Sequence, residues 1–228
     1  MLILAVDTTT PGGSVALLED ETLLGEVGIE SAATHSARLL RSIDFLLGAQ
    51  GRDVKAVDAF AVAAGPGSFT GIRIGVGAVK SLAFASGRPV APVSTLLALA
   101  VKIAGDGARL VCPLLDAKKE EIYAGLFEAR TDALTEIIPQ GAYAPDAFFA
   151  RLPQRRVIAF AGSGLAACRA RLMPYVRDKA RFPRRSSFIA AEVARIGAAM
   201  VLAGKGVDAA ALEPIYFRRS QAEERCLP

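Results

Sequence analysis

With 228 residues, 52% of them apolar, the chain is long enough for one large domain or two small ones and has enough hydrophobic material for a packed core. No apolar run reaches the ~18 uncharged residues of a membrane span; Glu192 and Arg195 break the longest, Ile189 to Ala203. A net charge of +4, three cysteines without a CxxC pair and a single histidine exclude a disulfide framework, a zinc site and a His-rich metal centre, and predict reduced thiols in a cytoplasmic chain.

The opening MLILAVDTTT has no basic start and meets Asp7 too early for a secretory leader. LILAVD (2–7) reads as a buried strand, and SVALLE (14–19) and TLLGEVG (22–28) continue it as a three-stranded meander. From His35 to Leu47 the apolar residues fall at 39, 40, 43, 46 and 47, a helical stripe. Val57 to Ala63 is a fourth strand. The glycine-rich GPGSFTGIRIGVG (65–77) follows, and a helix runs on to about Ser86, where Arg88-Pro89 stops it. Pro89 to Val93 supplies a fifth strand and Thr95 to Ala104 a further helix.

The order restarts at LVCPLLDA (110–117), whose Asp116 closes a strand as Asp7 does in the first half. IYAGLFEA (122–129) and the region 136–138 supply more strands, and a short helix lies near 146–152. VIAFAGSG (157–164) is a strand and glycine turn leading into a helix at 165–172. Residues 186–202 form a long alanine-rich helix with Ser186 and Ser187 as N-cap candidates. Two βββαβα-type halves mark the architecture of actin, hexokinase and Hsp70, with a boundary near Gly105–Gly107.

Charge is unevenly spread. From Arg151 to Arg185, nine Arg and one Lys stand against Asp178 alone, a local net of +9. Such a segment is either a nucleic-acid footprint or a solvated arginine-rich surface.

The glycine stretch is not a recognised phosphate loop. Gly71 is followed by Ile72, where a P-loop needs Lys. The spacing G-x-G-x-x-x-G departs from the dinucleotide fingerprint, and no acidic residue lies between Asp58 and Asp106 to hold a ribose. Ser68 can cap the helix. Within that helix Gly71, Gly75, Ala78 and Leu82 share one face, and each interior glycine costs ~1 kcal/mol against alanine. A close backbone approach would compensate, from another segment of this chain or from a helix of a second protein.

VDTTTPGGSVAL, THSARLL, AGPGSFTGIRIGVGAVKSLA and LLDAKKEEIYAGLF occur in this order, with AGSG (161–164) and EPIYFRRSQAE (213–223) later. On these motifs, which cover residues 2 to about 127 and two later stretches, the chain resembles the TsaB (YeaZ) family. The resemblance implies an α/β, actin-like (ASKHA, RNase H-like) fold of two lobes, 1–104 and 105–228, the second shortened and ending in a tail. It implies a non-catalytic subunit that pairs with TsaD and activates it in threonylcarbamoyladenosine modification of tRNA beside the anticodon. It also implies a larger complex with TsaE, a homodimer when the chain is alone, no cofactor and no membrane association. TsaD holds a metal through an H-x-x-x-H helix motif; here the residue four after His35 is Leu39, so that pair is missing.

The helices at 34–48 and 69–86 would form the partner surface, through His35, Leu39, Ile43, Phe69, Gly71, Ile74, Gly75, Ala78 and Leu82. Asp7 and Thr8, with Asp116, Gly162 and Gly164, would be the remnant of a nucleotide cleft. The family's usual Arg-x-Gly-Glu is KKEE here, with Glu120 in place of glycine. The rival reading is a stand-alone ATPase or small-molecule kinase of the same fold, served by Asp7, Asp116 and Gly162. A metalloprotease is excluded by the single histidine.

Overall fold

The structure is a computed structural model that describes residues 1–10, 12–30, 35–104, 107–130 and 133–218. Its contacts divide into two units. The first comprises Met1–Ala98 with Ser187–Ile215; the second comprises Leu99–Ser186 joined by the chain from Tyr216.

In the first unit β1 (Leu2–Asp7), β2 (Gly12–Glu19), β3 (Thr22–Glu30), β4 (Ala59–Gly65) and β5 (Val90–Ser94) form one sheet in the order β3-β2-β1-β4-β5. The meander β1–β2–β3 is antiparallel, and β1, β4 and β5 run parallel. β1 and β4 are apolar and buried along their whole length, as strands covered on both faces must be. Leu2, Leu4, Val6, Phe60 and Val62 point to one face, where α1 (His35–Ala49) and α2 (Phe69–Ser86) cover them. Residues of opposite parity, such as Ala61, meet the other face and its covering helix.

That covering helix is α6 (Ala190–Leu202), which lies on β1, β4, β2 and β5. The sequence placed it in the second lobe and capped it with Ser186 or Ser187; the structure differs on both points. Its face of Ala190, Ala191, Ala194, Gly197 and Ala198 is small and flat enough to lie close on the first sheet. The turn N–H groups are satisfied from the meander: Ala190 N–H donates to Ser14 Oγ at 3.1 Å and Ala191 N–H to Glu26 Oε1 at 3.1 Å. Ser186 and Ser187 are exposed. The chain then stays with this unit, for Val207 pairs with Val90 and Ile215 N–H donates to Ala64 O at 2.7 Å.

The second unit repeats the same plan. β6 (Leu110–Lys118), β7 (Glu121–Ala129) and β8 (Leu134–Tyr143) form the antiparallel meander, and β9 (Ile158–Ala161) and the two-residue β10 (Ala180–Arg181) run parallel to β6. The order β8-β7-β6-β9-β10 mirrors the first sheet, so the two-lobed actin-like repeat read from element order holds. α3 (Thr95–Ala104) leads into it, and α4 (Pro145–Phe149) and α5 (Gly164–Val176) complete it. Cys112, Phe148, Phe149, Phe160, Cys168 and Leu172 share its core.

The β6–β7 hairpin carries backbone strain. Lys118, Lys119 and Glu120 have φ of 61°, 50° and 61°, a left-handed conformation that costs an L-residue about 1–2 kcal/mol. Lys118 pairs with Glu121, so Lys119 and Glu120 are the two central turn positions, where Asn-Gly is favoured. Glu120→Gly is expected to raise stability by about 0.5–1 kcal/mol, the relief being partly offset by the greater freedom of the unfolded chain. A raised urea midpoint checks this; an unchanged or lower one contradicts it.

Candidate functional site

The glycine stretch meets its own chain. Ser68 N–H donates to Thr9 O at 2.7 Å, and Thr8 Oγ1 donates to Gly71 O at 2.7 Å, so the turn after β1 is clasped against the start of α2. Ser68 Oγ accepts from Gly71 N–H at 3.3 Å, the cap read from the sequence. A Cβ on Gly71 would lie 2.0 Å from Thr8 O, and one on Gly75 2.3 Å from Thr8 Oγ1. Of the two partners the sequence left open for these glycines, the structure supplies Thr8. Gly71 and Gly75 are therefore corrected from partner surface to internal contact.

Leu39 and Ile43 need the same correction. Both are buried in the core of the first unit with Leu46 and Leu47. The apolar stripe of an amphipathic helix goes to the sheet, and a partner meets what lies outside it. Ile74, Ala78 and Leu82 are half-buried against that same core. Phe69 is partly exposed, with the Arg73 guanidinium 3.9 Å from its ring centre. His35 opens α1; its side chain lies outside the described structure.

What sequence reasoning missed is the outer face. Leu40 is 58% exposed and Phe45 67% on α1, and Phe84 is 80% exposed on α2. On the same two helices Ala37, Gly48, Gly77 and Ser81 are also exposed and small, and Arg41, Asp44 and Arg73 are exposed and charged. α1 and α2 touch each other as well as the sheet, so the apolar side chains belong to one helical layer. The available signal was Phe45 and Phe84 falling outside the buried stripe. Single exposed apolar side chains are ordinary on a folded surface, and Leu40 and Phe45, five positions apart, project about 140° apart around α1.

The cleft candidates are divided between the units. Asp7 and Thr8 belong to the first, and Asp116, Gly162 and Gly164 to the second. Asp7 is fully buried; its Oδ1 accepts from Thr9 N–H at 2.8 Å and Thr9 Oγ1 at 2.6 Å, while Oδ2 has no hydrogen-bond partner among the described residues. A small cavity beside it is lined by Ser14, Arg38 and Ser42. Burial pushes the Asp7 carboxyl up to about 6, with Glu26 adding to the rise and the Thr9 bonds opposing it. The folded chain therefore holds a proton that the unfolded chain loses near 3.8. The resulting stabilisation is full below pH ~4 and is lost as pH rises through 6, about 3 kcal/mol across that window. Asp7→Asn, which keeps an oxygen for Thr9, is expected to flatten the fall in urea-unfolding stability between pH 4 and 7; a fall of unchanged size contradicts the assignment.

Asp116 is neutralised locally. Its carboxylate accepts from Lys118 N–H at 2.8 Å and pairs with Lys118 Nζ at 2.7 Å, which holds it below the usual carboxylate range. Gly162 has φ of 115°, and a Cβ there would lie 2.2 Å from Leu114 O, so this glycine turn is explained by packing on β6. Among the described residues no group of three or more His, Cys, Asp or Glu is placed to hold a metal, and no helix is long and apolar enough to cross a membrane.

Part of the +9 segment is offset by carboxylates. Arg171 pairs with Asp146 at 2.6 Å, Arg156 with Glu128 at 2.7 Å and Lys179 with Asp178 at 2.7 Å. Arg151 and Arg169 lie over the rings of Tyr143 and Phe182. Asp146 and Glu128 come from outside the window, which the sequence count could not include.

The family profile of tRNA N6-adenosine threonylcarbamoyltransferase (TsaD) matches residues 24–213. The chain is similar to the tRNA threonylcarbamoyladenosine biosynthesis protein TsaB of Bacillus subtilis, 34% identical over 140 residues, which are 61% of this chain and 60% of that protein. It spans only about half to three-fifths of the length of the curated relatives it matches. Among solved structures it is similar to YeaZ from Pseudomonas aeruginosa, with 31% identity, a TM-score of 0.80 and coverage of 94% of this chain and 99% of that one. A ROK hexokinase from Thermus thermophilus, at 14% identity and a TM-score of 0.52, covers 89% of this chain and 100% of that one and shares the fold.

Proposed function

This chain belongs to the TsaB (YeaZ) family, and we propose on that premise that it is a non-catalytic, cytoplasmic subunit that binds TsaD and supports threonylcarbamoyladenosine modification of tRNA. The observation that carries this reading is the family likeness, which runs over residues 24–213 and over 94% of the chain; Leu40, Phe45 and Phe84, the large apolar side chains that α1 and α2 leave exposed, are where a partner would be met. Phe69, Ile74, Ala78 and Leu82, less exposed on α2, complete the proposed partner surface. The match to the TsaD profile supports a partner of the same fold, whose own helical layer could present a similar surface. Pairing activates TsaD only if this chain binds the competent state more tightly than the idle one. The same face serves a homodimer when TsaD is absent, and a larger assembly with TsaE builds on the heterodimer.

The test is reconstitution of tRNA modification with each subunit omitted in turn. Modification that depends on this chain, together with co-purification of the chain with TsaD, is the expected result. Full modification in its absence overturns the proposal. The kinase reading draws on one observation, the buried Asp7 with its unpartnered Oδ2. It requires ATP turnover by the isolated chain that disappears in Asp7→Asn.

A further inference from the structure

We propose that Arg109, Arg130 and Arg156, gathered on the single carboxylate of Glu128, form a contact site for the phosphate backbone of RNA. Glu128 is the last residue but one of β7, with its side chain only 9% exposed. Arg156 Nη2 lies 2.7 Å and Arg109 Nε 3.2 Å from its Oε1, and Arg130 Nη2 lies 3.6 Å from its Oε2. The three come from separate places in the chain: ahead of β6, after β7 and ahead of β9. Parallel pairing of β6 with β9, and antiparallel pairing of β6 with β7, bring them to one end of the second sheet. β10 starts at that same end, since Ala180 pairs with Ile158, so the stretch just ahead of it, Arg177 with the Asp178–Lys179 ion pair, arrives there too.

One buried carboxylate is neutralised by one cation. A second and a third guanidinium repel the first, and exposed ion pairs return too little to offset this. The arrangement makes sense as a holder: Glu128 fixes three planar groups and leaves a surplus of positive charge at an exposed edge. Each guanidinium has five donors; Arg109 and Arg156 each give one to Glu128 and Arg130 is held by charge at 3.6 Å, which leaves donors for phosphate oxygens. Arg109 and Arg130 lie outside the 151–185 segment, so charge counting along the chain does not find this site. Asp106 and Asp132, near in sequence, lie outside the described residues. RNA is favoured over an acidic protein surface because this chain is read as a tRNA-modification subunit, and the inference rests on that reading.

The test measures tRNA binding to the chain–TsaD complex across a salt series, with chain–TsaD affinity measured in parallel. Arg109→Ala/Arg130→Ala/Arg156→Ala is expected to weaken tRNA binding about 10–100-fold near 0.1 M salt. It should also reduce the slope of log K against log salt by about 2, at ~0.7 per lost phosphate contact. The corresponding triple Lys variant should keep the wild-type slope, and neither should change pairing with TsaD. Should the triple Ala variant fail to fold, Arg130→Ala alone should lower the slope by ~0.7. A wild-type slope in a folded Ala variant overturns the inference while the functional reading stands. Lost TsaD pairing with an unchanged slope also overturns it, making the arginines a protein contact. If the wild-type chain does not pair with TsaD, the functional reading fails, and the same slope comparison on the chain alone decides the RNA site.

Discussion

Gly71→Ala is expected to destabilise the first unit by about 3 kcal/mol or more. Alanine would restore ~1 kcal/mol of helix propensity, so intrinsic preference alone forecasts a gain. The added Cβ, however, would lie 2.0 Å from the carbonyl oxygen of Thr8 and 3.3 Å from Ser68 Cβ. The Thr8 carbonyl cannot swing aside without disturbing two bonds, Thr8 Oγ1–H to Gly71 O and Ser68 N–H to Thr9 O. Overpacking of a closed contact typically costs ~1–3 kcal/mol, and backbone is less yielding than a side chain. Gly77→Ala is the internal control. It sits in the same helix, is exposed, and has nothing within 4 Å of its added Cβ. It should stabilise by about 0.5–1 kcal/mol. Urea unfolding of the two variants should move the midpoint in opposite directions; equal shifts would mean that Gly71 does not face Thr8.

The second large effect is expected at the outer face. Phe45→Asp with Phe84→Asp replaces two solvent-exposed rings, 67% and 80% accessible, by charges. The free chain loses little packing, so its unfolding midpoint should stay within about 0.5 kcal/mol of wild type. Aromatic anchors at the centre of an interface often carry more than 2 kcal/mol each, and an unpaired buried charge adds a desolvation cost. Affinity for TsaD should therefore fall at least about 100-fold, or ~2.8 kcal/mol. Calorimetric titration of the folded double variant against TsaD gives the answer, and retained affinity would remove this face from the interface.

The two lobes were legible because their strands are written in local patterns. LILAVD and AFAVAAG are continuous apolar runs, and Asp116 echoes Asp7 at the same place in the repeat. What failed were features set by residues far apart. The start of α6 is fixed by Ser14 and Glu26, more than 160 positions away, so the nearby serines misled. The small-residue face of α2 was visible, but the backbone it accommodates belongs to Thr8, 63 positions earlier. The stripe on α1 was also visible, yet periodicity does not distinguish a core face from a partner face. Leu40 looked like part of the stripe and is exposed, whereas Leu39 and Ile43 looked like interface and are core. The +9 window is lowered by Glu128 and Asp146, which lie in other segments and which counting along the chain could not include.

The most direct test of a subunit that works by pairing rather than by chemistry is the rate of tRNA threonylcarbamoylation by TsaD supplied with one of two variants. One is Asp7→Asn with Asp116→Asn, which removes the two carboxylates that the kinase reading needs; the other is Phe45→Asp with Phe84→Asp. The expected result is a wild-type rate with the first and, at equal concentrations, a rate no higher than TsaD alone with the second. A carboxylate variant that pairs normally with TsaD yet supports no modification would contradict it, and would place catalysis in this chain.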